Sequence, residues 1–278
     1  MVTAEVVLMW SAVTLYAVGA ILYAAGFAFS RERVLSAALW VSLAGLAPHT
    51  AAVVVRWVRV GHGPYLGYYE VVSSFAWFSV VVLGLLVLKW RSLNLLGVLL
   101  MPVATLLIGS AMFTPKAAME ITPRLASWWL TLHVTFAKVS YAAFIASFVL
   151  AVAYLMRERG GGGRLAGVLE KLPRQEVLDD LSFRFVGFGF IVLGMMIGAG
   201  AIWANEAWGR YWGWDPIETW SLVSWLVYAA YLHTRLTLGW RGRKSAWFAA
   251  LALPVVLFAL IGVPIVYRSI HGAYLLGT

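Results

Sequence analysis

Residues 208–220 read WGRYWGWDPIETW, with four tryptophans, two glycines, two carboxylates and a proline in thirteen positions. Tryptophan requires either a large cavity or a wet interface, plus an acceptor for its N–H. Trp203, Trp208, Trp212 and Trp214 crowd this one connection, and Gly209 and Gly213 clear backbone space between them. Trp208 and Trp212 are four apart, so a continuing helical turn would stack them on one face. An aromatic belt at headgroup level is the simpler explanation of such rings, but belts scatter one or two rings per helix end. A shelf of indoles suits a flat, apolar ligand such as a porphyrin. Asp215, Pro216 and Glu218 have a local task of their own: Asp at N-cap, Pro at N1 and an acid at N3 predict a capping box that starts a helix.

Five histidines are the other candidates for chemistry. His133, in SWWLTLHVTF, and His271, in YRSIHGAY, each lie at the end of an apolar run on the same predicted side as the tryptophans. Neutral imidazole is a common axial ligand of haem iron, and two of them make a six-coordinate site. A single interfacial histidine is more often a polar anchor; two approaching one aromatic patch favour ligation. His233 lies about 24 Å into its apolar run at 1.5 Å per residue, with Ala229 and Ala230 leaving room on the preceding turn. An ionisable residue at that depth is a functional candidate; the plain alternative is a side chain snorkelling beside Arg235. His49, beside a kink predicted at Pro48, is a further candidate iron ligand, although its predicted depth matches that of His233 poorly. His62 reads as polar loop surface. The thirteen-residue spacing of His49 and His62 is near that of a dihaem helix, but RWVRVGHGP is no span, so a dihaem electron-transfer cytochrome is not expected.

The elements that must position these residues follow from composition. The 278 residues are 62% hydrophobic and 12% charged, and apolar runs of about twenty residues recur from end to end. The chain is therefore predicted to be an all-α, polytopic membrane protein. About eight transmembrane helices are expected, at 6–29, 35–57, 70–89, 93–113, 129–156, 183–203, 217–237 and 246–267. The first run is too long for a signal-peptide core and reads as a retained helix. One transmembrane domain, residues 1–278, accounts for the whole pattern. Most of the 21 Lys and Arg residues fall in alternate loops. The positive-inside rule then places both termini outside, the 157–182 loop in the cytoplasm and the 204–216 loop outside. That rule also accounts for the net charge of +9 without nucleic acid as a partner. With no cysteine in the chain, disulfides, thiolate metal sites and Cys nucleophiles are excluded.

Two stretches resemble a known family. RWVRVGHGPYLGYYEVVSSFAW is similar to the Gly-His-x-Pro…Tyr-Glu segment of the CcsA/ResC type of cytochrome c assembly protein. WGRYWGWDPIETW, followed by LHTR in the next span, resembles that family's tryptophan-rich "WWD" signature. The likeness implies that Trp208, Trp212, Trp214, Asp215 and Glu218 form a haem-docking loop. It implies further that His133 and His271 are outer axial ligands and that His233 ligates haem within the membrane, where the other ligand is thought to come from the partner subunit. Arg210 is a candidate for the haem propionates. Ile217 stands where the family commonly has lysine.

The implied function is cytochrome c assembly, as a probable subunit of a holocytochrome c synthase. Haem b would be moved to the extracytoplasmic face and bonded through thioethers to the CxxCH motif of apocytochrome c. The implied partners are a ResB/CcsB-type membrane subunit, apocytochrome c and an extracytoplasmic thioredoxin-like thiol reductant. No acid–base dyad is expected. The implied location is a bacterial plasma membrane, or a thylakoid membrane for a plastid-encoded chain. The alternatives are an exporter of haem or another amphiphile without ligation activity, which the spans interrupted at Pro48 and Pro102 fit, and a b-type electron-transfer subunit.

Overall fold

The structure, a computed structural model, describes residues 2–114, 122, 124–160, 167, 169–170 and 172–269. The described residues form helices and no strands. These are α1 (Val2–Ala28), α2 (Glu32–Ala44), α3 (Leu46–Val60), α4 (Gly67–Lys89), α5 (Gly97–Met112), α6 (Trp128–Arg159), α7 (Gln175–Trp208), α8 (Pro216–Leu236) and α9 (Arg243–Leu257). A 3₁₀ turn, Arg91–Leu96, precedes α5. A π turn, Phe258–Gly262, carries α9 into the short α10 (Val263–Val266).

Among the described residues, seven helical stretches are long and apolar enough to cross a membrane, with α2 and α3 counted as one. The predicted seventh span is helix α8, whose 21 residues include Ser221, Ser224, His233 and Arg235 and lie outside those seven. The predicted second span is interrupted at Gly45 rather than at Pro48. Proline has no N–H, and its ring clashes with the carbonyl four residues earlier, so the disturbance falls on the preceding turn. Leu165–Leu172 reads in sequence as a short surface helix, and half of it lies outside the described residues.

The chain divides into two compact units. The first comprises residues 1–64, 69–116 and 152–178. Along α1, Glu5, Met9, Ala12, Tyr16, Gly19, Tyr23 and Gly26 are buried, an alternation of four- and three-residue steps that makes one helical face. This face packs on α2, α3 and α5. Close approach is essential where Tyr23 crosses α5, because a Cβ on Gly97 would lie 2.1 Å from the ring. The Tyr23 hydroxyl donates to Asn94 Oδ1 at 2.7 Å, and Asn94 Nδ2 donates to Leu35 O at 3.1 Å.

One end of this unit is held by buried charge. Arg56 Nε donates to Glu70 Oε1 at 2.6 Å and Arg56 Nη1 to Glu5 Oε1 at 3.1 Å. Arg59 closes on the other Glu5 oxygen at 2.7 Å and 3.0 Å. His62 joins the cluster: it is 3% exposed, with Nδ1 at 2.8 Å from Gly63 O and 3.6 Å from Glu70 Oε2. The expectation of polar loop surface is therefore corrected. A loop can bury a histidine when fixed carbonyls and carboxylates replace water.

The second unit comprises residues 65–68, 117–151 and 179–278. Phe144 of α6 stacks on Tyr228 of α8, with centroids 3.7 Å apart and planes 4° apart. Ser147 and Ser182 bond across α6 and α7 at 2.9 Å. Asp179 receives Arg235 at 2.7 Å and 2.9 Å and the Gly242 amide at 3.2 Å, tying α7 to both ends of the α8–α9 turn.

Removing one partner of a buried ion pair strands the other charge and costs about 3–5 kcal/mol. Glu70→Ala and Glu5→Ala are expected to lose stability in that range by thermal unfolding in detergent. Arg184→Ala, which breaks the exposed pair with Asp180, is expected to lose less than about 1 kcal/mol.

Candidate functional site

The second unit collects most of the sequence-predicted site residues. His133 is on α6, one and a half turns from its start, and α6 itself begins where Ser127 Oγ accepts the Trp129 amide at 3.1 Å. Ser127 Oγ in turn donates to Glu206 Oε2 of α7 at 2.6 Å, which aligns the two helix ends. His133 Nδ1 lies 2.9 Å from Met196 O, inside α7. A carbonyl can only accept, so Nδ1 carries the proton and Nε2 is the lone-pair nitrogen. This is the arrangement in which metal-binding histidines are usually held, with the second nitrogen fixed by a carbonyl or carboxylate.

The ring reaches the α7 backbone only because residue 200 is glycine. A Cβ there would lie 2.5 Å from His133 Nδ1. Trp203, one turn further along α7, flanks the imidazole at 6.4 Å between centroids and 29° between planes. Trp203 is itself 3% exposed, bonded to Arg124 O at 2.8 Å and packed among Leu66, Leu125, Leu130 and Ala207. Its role is to support the histidine from within the core.

The 204–216 connection departs from the expected stack. Helix α7 ends at Trp208, and Gly209 turns left-handed (φ 72°) with its N–H on Asn205 O at 2.9 Å. Trp208 and Trp212 therefore share no helical face. Trp208 packs edge-on against Trp203 at 4.9 Å, and Trp212 packs at 90° on Trp214 at 5.8 Å. The shelf is two pairs of indoles, one in the core and one in the loop.

The predicted capping box is present. Asp215 Oδ1 accepts the Ile217 amide at 2.9 Å, while Glu218 Oε2 accepts Asp215 N–H at 3.2 Å and Gly213 N–H at 2.8 Å. Both carboxylates are thus engaged in shaping the loop. Arg210 lies across the backbone at Gly213, where a Cβ would come 2.4 Å from its guanidinium carbon. The loop places Tyr211, Trp212, Ile217 and Glu218 opposite His133 and Gly200 around a slot of about 30 Å³. That is roughly the volume of one water. His133 and Trp212 both line this slot, so an imidazole and an indole are available to one ligand. Among the described residues no three His, Asp or Glu side chains converge to hold a bare ion.

The remaining histidines are placed differently. His233 is exposed in the last turn of α8, with Nδ1 3.4 Å from Thr237 Oγ1. His49 is fully buried in the first unit, with Nδ1 3.1 Å from the Tyr16 hydroxyl and Nε2 without a hydrogen-bond partner. His271 lies outside the described residues.

Residues 65–271 match the family described as Cytochrome C assembly protein. The chain is 39% identical over 259 residues to the cytochrome c biogenesis protein CcsA of Parasynechococcus marenigrum (strain WH8102), across 84% of each chain. It is 33% identical over 306 residues to CcsA of Synechococcus sp. (strain JA-3-3Ab), across 90% of this chain and 89% of that one. The fold is similar to that of the solved Cytochrome c Heme Lyase CcmF, with a TM-score of 0.72 and 19% identity. That match covers 99% of this chain and 48% of the lyase, so the chain spans about half its length.

Asp215→Ala removes the N-cap of α8 and is expected to cost about 1 kcal/mol, seen as faster amide exchange across residues 213–217. Gly200→Ala is expected to expel the His133 ring from α7. A shifted imidazole proton signal in selectively labelled protein reports the lost bond to Met196 O, and an unchanged signal contradicts the assignment.

Proposed function

Because the chain belongs to the cytochrome c assembly protein family, we propose that it binds haem b and presents it at the extracytoplasmic face for attachment to apocytochrome c. The observation that carries this reading is the His133 imidazole, held through Nδ1 by Met196 O and lining the slot beside Trp212. His133 supplies one axial ligand and His271 the other. The Trp212 and Trp214 indoles cover the porphyrin face, and Arg210 meets the propionates. Trp208 acts one layer back, through Trp203. Asp215 holds the loop in shape, as does Glu218, which also lines the slot.

In the attachment step, a cysteine S–H of the CxxCH motif adds across a haem vinyl group. A carbon–sulfur bond forms, the proton goes to the terminal vinyl carbon, and no net electrons are exchanged. The protein's part is to orient the vinyl edge and keep the iron six-coordinate until the substrate histidine displaces one ligand. The thiols must arrive reduced. This chain contains no cysteine, so a separate thioredoxin-like protein supplies the electrons.

His233, exposed on α8, binds haem earlier on its path through the membrane, with the opposite ligand coming from a ResB-type partner. His49 is enclosed by packing and takes no part in this scheme. The membrane is a bacterial plasma membrane or, for a plastid-encoded chain, a thylakoid membrane.

Purification of the chain with its ResB-type partner, followed by a pyridine haemochrome spectrum, tests the scheme. His133→Gly is expected to lose most of the haem at the outer site and to abolish covalent c-type haem in a coexpressed apocytochrome. Added imidazole is expected to restore both in part. Undiminished covalent attachment in the His133→Gly, His271→Gly double variant overturns the proposal and favours an exporter without ligation activity.

A further inference from the structure

A large cavity in the first unit is lined by none of the residues discussed as a haem contact. It has a volume of about 770 Å³, within the range of small-molecule sites, and runs between α2 and the end of α4. One wall is the α2 stripe of Leu35, Leu39 and Leu43; the other is Gly84, Val87 and Leu88 of α4. The groove narrows where Gly84 meets Leu43, since a Cβ on Gly84 would lie 2.8 Å from Leu43 Cδ2. From Arg33 to Leu43 it is about 15 Å long at 1.5 Å per residue.

Its two ends differ in chemistry. The deep end is aliphatic. The mouth carries Arg33 from the start of α2 and Arg91 from the 3₁₀ turn, with the hydroxyls of Ser36 and Ser92 and one carboxylate, Glu32. Both guanidiniums are exposed, and neither is in an ion pair among the described residues. Two guanidiniums therefore stand against the single carboxylate of Glu32 in the lining. Asn94, also at the mouth, is already committed to Tyr23 and Leu35 and contributes wall rather than donors.

We propose that this groove is a binding site for an anionic glycerophospholipid, with the phosphate between Arg33 and Arg91 and an acyl chain along Leu39, Leu43 and Leu88. Basic pockets between transmembrane helices recognise anionic headgroups in this way, and arginine pairs with phosphate through charge-assisted hydrogen bonds. A porphyrin carboxylate has the same charge, but the lining contains no His, Met, Tyr or Cys. It therefore offers no axial donor for iron, and the lipid is the better match. On the topology predicted from the basic loops, this is the cytoplasmic leaflet. The proposal is independent of the outer haem site.

Full-length protein purified in mild detergent, with its lipids extracted and quantified by mass spectrometry, tests the site. The wild-type chain is expected to retain about one anionic phospholipid per chain and the Arg33→Ala, Arg91→Ala double variant at least fivefold less. Ser36→Trp, which fills the mouth and leaves both guanidiniums in place, is expected to lose it equally. Vesicles of phosphatidylglycerol are expected to raise the unfolding temperature of the wild type more than vesicles of phosphatidylcholine. Inorganic phosphate alone is expected to do nothing. Equal retention in all three proteins, equal retention of neutral lipid, a stabilisation by free phosphate that matches the vesicles, or haem recovered from this groove overturns the proposal.

Discussion

Charge inside an apolar solvent persists only where its counter-charge is built into the same structure, and each unit of this protein is organised around one such pairing. In the first, Glu5, Arg56, Arg59 and Glu70 lock the start of α1, the end of α3 and the start of α4. In the second, Asp179 and Arg235 lock α7 to the end of α8. Hydrophobicity does not choose among helix pairings here, because lipid tails are as apolar as the helix faces. The ion pairs do choose. A slip of one turn would leave a carboxylate or guanidinium alone at a cost of several kcal/mol, so register is set at the helix ends.

The tryptophan loop applies the same economy to neutral groups. Seven residues leave helical geometry between Trp208 and Pro216, and their amide groups need partners. Glu218 satisfies two of them, at Gly213 and Asp215, and Asp215 in turn accepts the first-turn amide of Ile217 in α8. The indoles can then be held at a helix start without a second element to brace them. His133 needs the opposite treatment. Its ring is held at Nδ1 by a backbone carbonyl, at an approach that a Cβ at position 200 would block.

Much of this was legible in the sequence, for physical reasons that differ from residue to residue. Apolar runs of membrane length read directly as helices, because no other open structure satisfies its own backbone in lipid. Asp215-Pro216-x-Glu218 read as a helix start because capping is local. The pairing of Trp208 with Trp203, and of Trp212 with Trp214, was not legible, since it depends on Gly209 ending α7 one residue after Trp208. Helical spacing assumed a turn that the glycine forbids. The burial of His62 was hidden likewise, because the carboxylate beside it, Glu70, comes from the next helix, α4. The second span is interrupted at position 45 although the proline is at 48, because a proline ring crowds the carbonyl four residues earlier. His133 was identifiable as a candidate from its place at a helix entrance, but the carbonyl that fixes its tautomer was not. Met196 carries no polar side chain to signal it.

Trp214 is the one bulky residue in the loop with a left-handed backbone, at φ 56°, and its side chain is 69% exposed. A large side chain in that region carries on the order of 1–2 kcal/mol of steric energy. The amides on either side of it, Gly213 N–H and Asp215 N–H, are both held by the Glu218 carboxylate, so the start of α8 fixes the unfavourable backbone that turns this indole outward.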